Sequence, residues 1–366
     1  MLTAYGGHQA TLCVNSASAG LELVLRWFGI GPGDEVIVPA YTYAATANVV
    51  EHCGAKVVFV DSGNDLNVDP NKIPGALSSR TKAIIPVDIA GLPCDYDKIH
   101  AIINSPESRA LFCPSHPVQE QLGRILILSD AAHSLGGWYN NKRVGALTDI
   151  SVYSFHAVKN LTTAEGGAIC LNLPHPFVNE DVYQSLNTKS LHGQNKDALD
   201  KFSAGKWKYD IVEAGYKCNM TDIQAAMGIV ELERYDTDML PRRKEIFDQY
   251  HDAFINEPRF IVPVYDTPCK TSSYHVYTLR IKGLIEAERD ILMEKIYAQG
   301  VAVNVHFVPL PMMSHYRNHG YDIRHYPVAY GLFANEISLP VYYSLSHEEV
   351  SRVILTIKHC LKEIKP

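Results

Sequence analysis

The sequence predicts an α/β protein: a large domain with a mostly parallel central sheet over residues 1–240, and a smaller C-terminal α+β domain over residues 241–366. Three observations carry this. Short β-branched runs alternate with helical patterns through the first two thirds, the order of βαβ units with right-handed crossovers. Several of those runs are apolar on both faces, as strands covered by helices on each side must be. Past the long helical stretch near residue 240, strands and helices follow a different spacing.

Strands are expected at Thr11–Asn15, Glu35–Ala40, Lys56–Asp61, Ala83–Asp88, Arg124–Asp130, Ile150–Phe155 and Ala168–Asn172. Between the first two, Leu21, Val24, Leu25 and Phe28 share one face of a helix, and the GIGPGDE segment ends it with glycine at the left-handed C-terminal position. A helical region spans about Thr221 to Phe254. Tyr274–Ile281 and Val301–Phe307 read as strands, with a helix over Ile285–Gly300 between them. The last helix opens on a capping box, Ser346 to Glu349, and carries Val350, Val353, Ile357 and Leu361 on one stripe. Asn104–Gln121 reads as a surface insertion.

Composition narrows the function. With 366 residues, 46% hydrophobic and 20% charged, the chain has ample core material and is not disordered. Lys and Arg number 33 against 40 Asp and Glu, a net charge of −7 without long runs, so neither nucleic acid nor an anionic membrane is an expected partner. No apolar stretch reaches membrane-spanning length. The opening MLTAYGGHQA has neither the basic nor the apolar part of a secretory leader. Eight cysteines without a CxxC pair suggest a reducing, cytoplasmic setting with no disulfides and no structural zinc.

Four segments carry candidate chemistry. Asp130 ends a strongly apolar strand, where α/β folds bind ligands; a helix N-cap after a strand would read the same way. Lys159 lies just past another strand among few charges. A desolvated lysine there is an amine nucleophile able to form a Schiff base with an aldehyde cofactor, although a snorkelling surface lysine shows the same letters. Glu165-Gly166-Gly167 allows a tight turn and a close backbone approach. At a strand-to-helix junction, Ser18 and Ala19 would offer backbone amides to a phosphate, with Ser154 adding a hydroxyl; plain N-capping is the competing reading. Tyr41 and Tyr43 follow the second strand, where a ring could stack on a planar cofactor or simply pack. In this order, phosphate cradle, aromatic, strand-end acid and strand-end lysine are the parts a pyridoxal phosphate enzyme needs.

The blocks that carry these residues resemble the sugar aminotransferases of the DegT/DnrJ/EryC1/StrS family, fold-type-I pyridoxal phosphate enzymes. They are GPGDEVIVPAYTYAATANVVEHCGAKVVFVD, DAAHSLGG, SFHAVKNLTTAEGG, GYKCNMTDIQAAMGI and ISLPVYYSLSHEEV, in that order, from about Thr11 onward. SFHAVKN before AEGG, His133 after Asp130, and GYKCN look most like the branch that aminates carbon 4 of a nucleotide-linked keto sugar, such as the 4-amino-4-deoxy-L-arabinose aminotransferases. The resemblance implies pyridoxal 5'-phosphate as cofactor, L-glutamate as amino donor with 2-oxoglutarate released, and a homodimer with shared active sites. It implies Lys159 as the Schiff-base lysine and proton shuttle, Asp130 at the pyridine nitrogen, and His133 near the ring hydroxyl. Tyr43 would be the stacking aromatic, and Ser18, Ala19 and Ser154 the phosphate ligands. Asn219 or Lys217 would stand where the family's neighbouring subunit reaches the phosphate, and His306 would lie near the substrate. Lys159 separates the chain from a dehydrating branch that carries His at that position. A branch acting on aromatic acids, or an inactive remnant serving only as an oligomer partner, are the alternatives. Family members carry a further segment ahead of Thr11, with an SGWxTxGP motif, so a compromised substrate pocket and a weakened dimer are expected.

Overall fold

The computed structural model describes residues 1–195 and 209–364. Seven strands form the main sheet: β1 (Ala10–Val14), β2 (Glu35–Pro39), β3 (Lys56–Val60), β4 (Thr81–Ile84), β5 (Leu126–Asp130), β6 (Ile150–Ser154) and β7 (Gly167–Leu171). Their spatial order is β1-β7-β6-β5-β4-β2-β3. Strands β3, β2, β4, β5 and β6 pair in parallel, whereas β7 runs antiparallel to both of its neighbours, β6 and β1. The sequence could not show this reversal, because an apolar run reads alike in either direction. β2, β4, β5 and β7 are buried along their whole length, as central strands covered on both faces are.

Helix α1 (Ala17–Trp27) lies against this sheet through Leu21, Val24 and Leu25. Ser16 caps it, accepting the Ala19 N–H on its Oγ, and Gly29 leaves it at φ 77°. The Asn104–Gln121 stretch is more than a surface loop. It forms short helices at Pro106–Leu111 and Pro117–Leu122, and buried Gln119 donates through Nε2 to the Phe28 carbonyl.

The expected helical region after Thr221 is two helices, α2 (Asp222–Arg234) and α3 (Leu240–Phe254), joined by a π-helical turn at Tyr235–Met239. A three-stranded sheet follows, β8 (Phe260–Ile261), β9 (Tyr277–Ile281) and β10 (Glu336–Leu339), with β9 in the middle. Helices α4 (Glu286–Ala298) and α5 (His347–Lys362) pack on it around a second core that includes Tyr277, Leu279, Ile281, Leu292, Ile296 and Ile357. The Ser346 capping box is present. Two strand expectations need correction. Tyr274–Val276 precedes β9 as a crossing segment, with Tyr274 at φ 56°. Val301–Phe307 is irregular and pairs with the sheet backbone through the isolated Asn304–Ser338 bridge.

Among the described residues no helix is long and apolar enough to cross a membrane, and no group of three or more His, Cys, Asp or Glu side chains is placed to hold a metal ion.

Candidate active site

A cavity of about 360 Å³ opens at the carboxyl ends of β5 and β6, beside the start of α1. Ser18, Tyr43, Asp130, His133, Ser154, Lys159 and His306 all line it. The topology dictates most of this meeting. Parallel strands end on one edge, so residues just past β2, β5 and β6 converge there however far apart they are in sequence.

Asp130 is the buried last residue of β5. Thr46 Oγ1 donates to its Oδ2 at 2.8 Å, and the Ala132 N–H reaches Oδ1 at 3.2 Å. Burial raises its pKa, while Thr46, the Ala132 amide and Lys159 pull the other way. Lys159 follows β6 in the SFHAVKN loop. Burial lowers its pKa to about 8, against the opposite pull of Asp130. A low-dielectric site thus holds an amine that loses its proton far more readily than a surface lysine.

The phosphate end is built by backbone. Ala17 and Ser18 in the first turn of α1 carry N–H groups without partners inside the helix, and the helix dipole adds positive potential. Gly167 opens β7 hard against that turn: a Cβ there would lie 2.7 Å from Ala17 N and from the Ser16 carbonyl carbon. Ala19 requires a correction. Its N–H is taken by Ser16 Oγ and it lies off the cavity wall, so the open amides are those one and two residues earlier. Lys217 and Asn219 also lie off the cavity wall, with Lys217 Nζ donating to Asn219 Oδ1.

His133 is buried and its Nδ1 has no hydrogen-bond partner. His275, 4.3 Å away ring to ring, and Phe307, 5.8 Å away, flank it. Burial drives the pKa of both imidazoles well below its ordinary value. His275 was not singled out from sequence, although a histidine inside the apolar YHVYTL run was a usable signal. Its Nδ1 donates to Asn160 Oδ1 at 2.7 Å, and Asn160, next to Lys159, donates in turn to the Ser273 carbonyl. Tyr43 is 62% exposed, with its ring 5.8 Å from Phe307. Tyr41 is buried off the cavity wall and donates its hydroxyl proton to the His306 carbonyl.

These residues fit pyridoxal phosphate. Unsatisfied helix amides with a glycine-cleared approach suit a phosphate, Asp130 suits a pyridinium nitrogen, the orphaned His133 Nδ1 offers a partner to a ring substituent, and Lys159 suits an aldehyde. The chain also matches the DegT/DnrJ/EryC1/StrS aminotransferase family over residues 1–111 and 118–358.

The chain belongs to that family.

DegT/DnrJ/EryC1/StrS aminotransferases use pyridoxal phosphate, and this one has the fold-type-I architecture. The six residues between the two matched stretches lie within the Asn104–Gln121 stretch. Over 367 residues the chain is 35% identical to the spore coat polysaccharide biosynthesis protein SpsC of Bacillus subtilis, covering 98% of this chain and 87% of SpsC. Spr1654 of Streptococcus pneumoniae, assigned as a sugar aminotransferase, superposes in its PMP form with TM-score 0.95 at 43% identity, covering 100% of this chain and 90% of that one. Its PLP form gives 0.94 and 42% over the same shares. PseC of Helicobacter pylori, an aminotransferase involved in the biosynthesis of pseudoaminic acid, gives 0.84 and 25% over 99% of this chain and 89% of PseC.

Proposed function

We propose that the protein transfers the amino group of L-glutamate to carbon 4 of a nucleotide-linked keto sugar, in the cytoplasm, for the synthesis of cell-surface polysaccharide. The observation that carries this is the pairing of Lys159 and Asp130 in one cavity beside the α1 N-terminus. SpsC and Spr1654, through what their names say of them, support a sugar as acceptor. The look of the SFHAVKN and GYKCN segments supports carbon 4.

Pyridoxal phosphate, when bound, supplies an aldehyde and an aromatic ring that takes up an electron pair. The chain supplies everything else. The first turn of α1 and Ser154 hold the phosphate. Asp130, kept in place by Thr46, holds a proton at the pyridine nitrogen, each charge offsetting the other's desolvation. His133 would meet the ring hydroxyl and Tyr43 would cover the ring. Lys159 would hold the cofactor's aldehyde, and its free amine would serve as the general base that takes a proton from the donor's α-carbon and as the general acid that returns it.

The large unit, residues 1–240, bears the cofactor, and residues 241–366 form the unit that contributes the facing wall. A homodimer fits the exposed apolar face of α2, where Ile223, Met227 and Val230 are solvent-facing. In it, Asn219 and Lys217 serve the neighbouring cavity.

The test is a screen of 4-keto-sugar nucleotides with L-glutamate, reading 2-oxoglutarate release and amino-sugar formation. Lys159→Ala should lose both the turnover and the visible absorbance of bound cofactor. A surviving absorbance band in that variant overturns the lysine assignment, and turnover with aromatic keto acids alone overturns the sugar.

A further inference from the structure

The wall of the cavity opposite β5 and β6 ends in a chain of hydrogen bonds that the steps above leave unused. His306 lines the cavity, and its Nδ1 lies 2.9 Å from Ser338 Oγ. Ser338 Oγ lies 2.6 Å from Oε1 of Glu336, and Glu336 Oε2 accepts the His306 N–H at 3.1 Å. Tyr41 holds the His306 carbonyl, and Asn304 and Ser338 exchange both backbone hydrogen bonds. The imidazole is therefore clamped through its own backbone and through Nδ1. Its Nε2 has no partner among the described residues and is not buried by protein, which leaves it to the cavity.

We propose that His306, Ser338 and Glu336 form a proton relay in which His306 Nε2 takes a proton from the bound substrate while Glu336 receives one at the far end; the role given to the substrate rests on the function proposed above. The protons balance. A new N–H bond forms at Nε2, the Nδ1 proton passes to Ser338 Oγ, and the Ser338 hydroxyl proton passes to Glu336 Oε1. The ring starts as the Nδ1–H tautomer and ends as the Nε2–H tautomer, neutral in both. Glu336 starts as a carboxylate and ends as a carboxylic acid. His306 is the catalytic residue; Ser338 and Glu336 act through it as positioning residues.

Two physical features favour this route over a simple imidazolium. A charged His306 would sit half-buried facing Lys159, and desolvation already lowers its pKa to about 4. Glu336 is fully buried, which pushes it up to about 8, so the carboxylate that starts the relay prevails above that pH and is basic enough to take a proton there. The groups that face Glu336 are Arg280, its cross-strand partner on β9, Arg289 on α4, whose Nη1 donates to the Glu336 carbonyl, Tyr41, and His306 itself. The groups that act on His306 from across the cavity are Lys159, His133 and His275. Arg280 and Arg289 favour the carboxylate, and burial opposes them.

Nitrogen-15 correlation spectra of histidine-labelled holoenzyme read the tautomer directly, with the His306 signals assigned by their loss in His306→Asn. In the wild type the ring should carry its proton on Nε2 at low pH and on Nδ1 at high pH, crossing with Glu336 and remaining neutral throughout. Glu336→Gln should fix the Nε2–H form at every pH. Its carbonyl must accept the His306 N–H, so its amide donates to Ser338, and Ser338 donates to Nδ1. That variant should keep the cofactor absorbance band and lose about 100-fold in kcat with a flattened pH profile. Ser338→Ala should also abolish the pH-dependent exchange of tautomers. One constant wild-type tautomer, or a Glu336→Gln spectrum that follows the wild type, overturns the relay and leaves the aminotransferase reading intact. Tautomer exchange without glutamate-dependent amination keeps the relay and overturns that reading.

Discussion

The two walls of the cavity reach the same chemistry by different means. On one side, Asp130 ends β5 and Lys159 follows β6, its parallel neighbour, in the next loop, with short contacts such as Thr46 on Asp130 steadying the acid. On the other, His306 stands on an irregular segment and is steadied by side chains of β10 and by Tyr41. The first wall owes its geometry to strand register, which a single side-chain change does not disturb. The second owes it to a relay of side chains, so one substitution changes both position and protonation. Substitutions on the first wall should therefore remove chemistry and leave structure, and those on the second should alter both.

Asp130→Asn tests this most strongly. Thr46 and the Ala132 amide still fix the side chain, so the fold should persist, while kcat/KM should fall about 100-fold with the loss of the buried charge. Because burial holds the native carboxyl pKa above its unfolded value, the ionised acid disfavours folding above that range. The cofactor-free variant should thus melt no lower than the wild type at pH 8. A lower melting temperature would show that the first wall depends on its acid as the second does on Glu336. Gly167→Ala should come next. Its Cβ would meet fixed backbone at the α1 turn, so stability should drop by about 2 kcal/mol and cofactor affinity should fall with it, read by denaturant melts and absorbance titration. The smallest effect is one of pH. Capture of the aldehyde needs the neutral Lys159 amine, so its rate should rise with pH through about 8 and level off above, rather than climb toward 10.5. Stopped-flow absorbance checks this. A rate still rising tenfold per pH unit at pH 9.5 would mean that the amine is not desolvated.

The same contrast explains what was legible in the sequence. Strand-end residues announce themselves, because an acid or a lysine closing an apolar run has few other reasons to be there. The seven main-sheet strands were visible for the same reason. The direction of β7 was not, since hydrophobicity carries no polarity along the chain. Ala19 was off by one helical turn position, because propensity does not separate Ser16 from Ser18 as the cap. His275, Ser338 and Glu336 were missed because their meaning lies in partners from distant segments: Asn160 for the first, His306 for the other two. Val301–Phe307 alternates like a strand, yet Asn304 and His306 turn to side-chain and single-bridge contacts instead of a ladder. No local pattern distinguishes those outcomes.

The π-helical turn at Tyr235–Met239 holds a consequence for how the two walls stay in phase. Such a turn contains one residue more than regular winding needs. Losing that extra residue would let α2 and α3 run as a single ordinary helix with its phase kept, whereas losing one residue from the regular winding of α2 would swing every side chain beyond it by about 100° about the axis. Arg243, whose guanidinium reaches the Val341 carbonyl just past β10, would face away from it. The turn thus takes up a surplus residue while the half of the molecule that carries the lysine stays in phase with the half that carries the histidine.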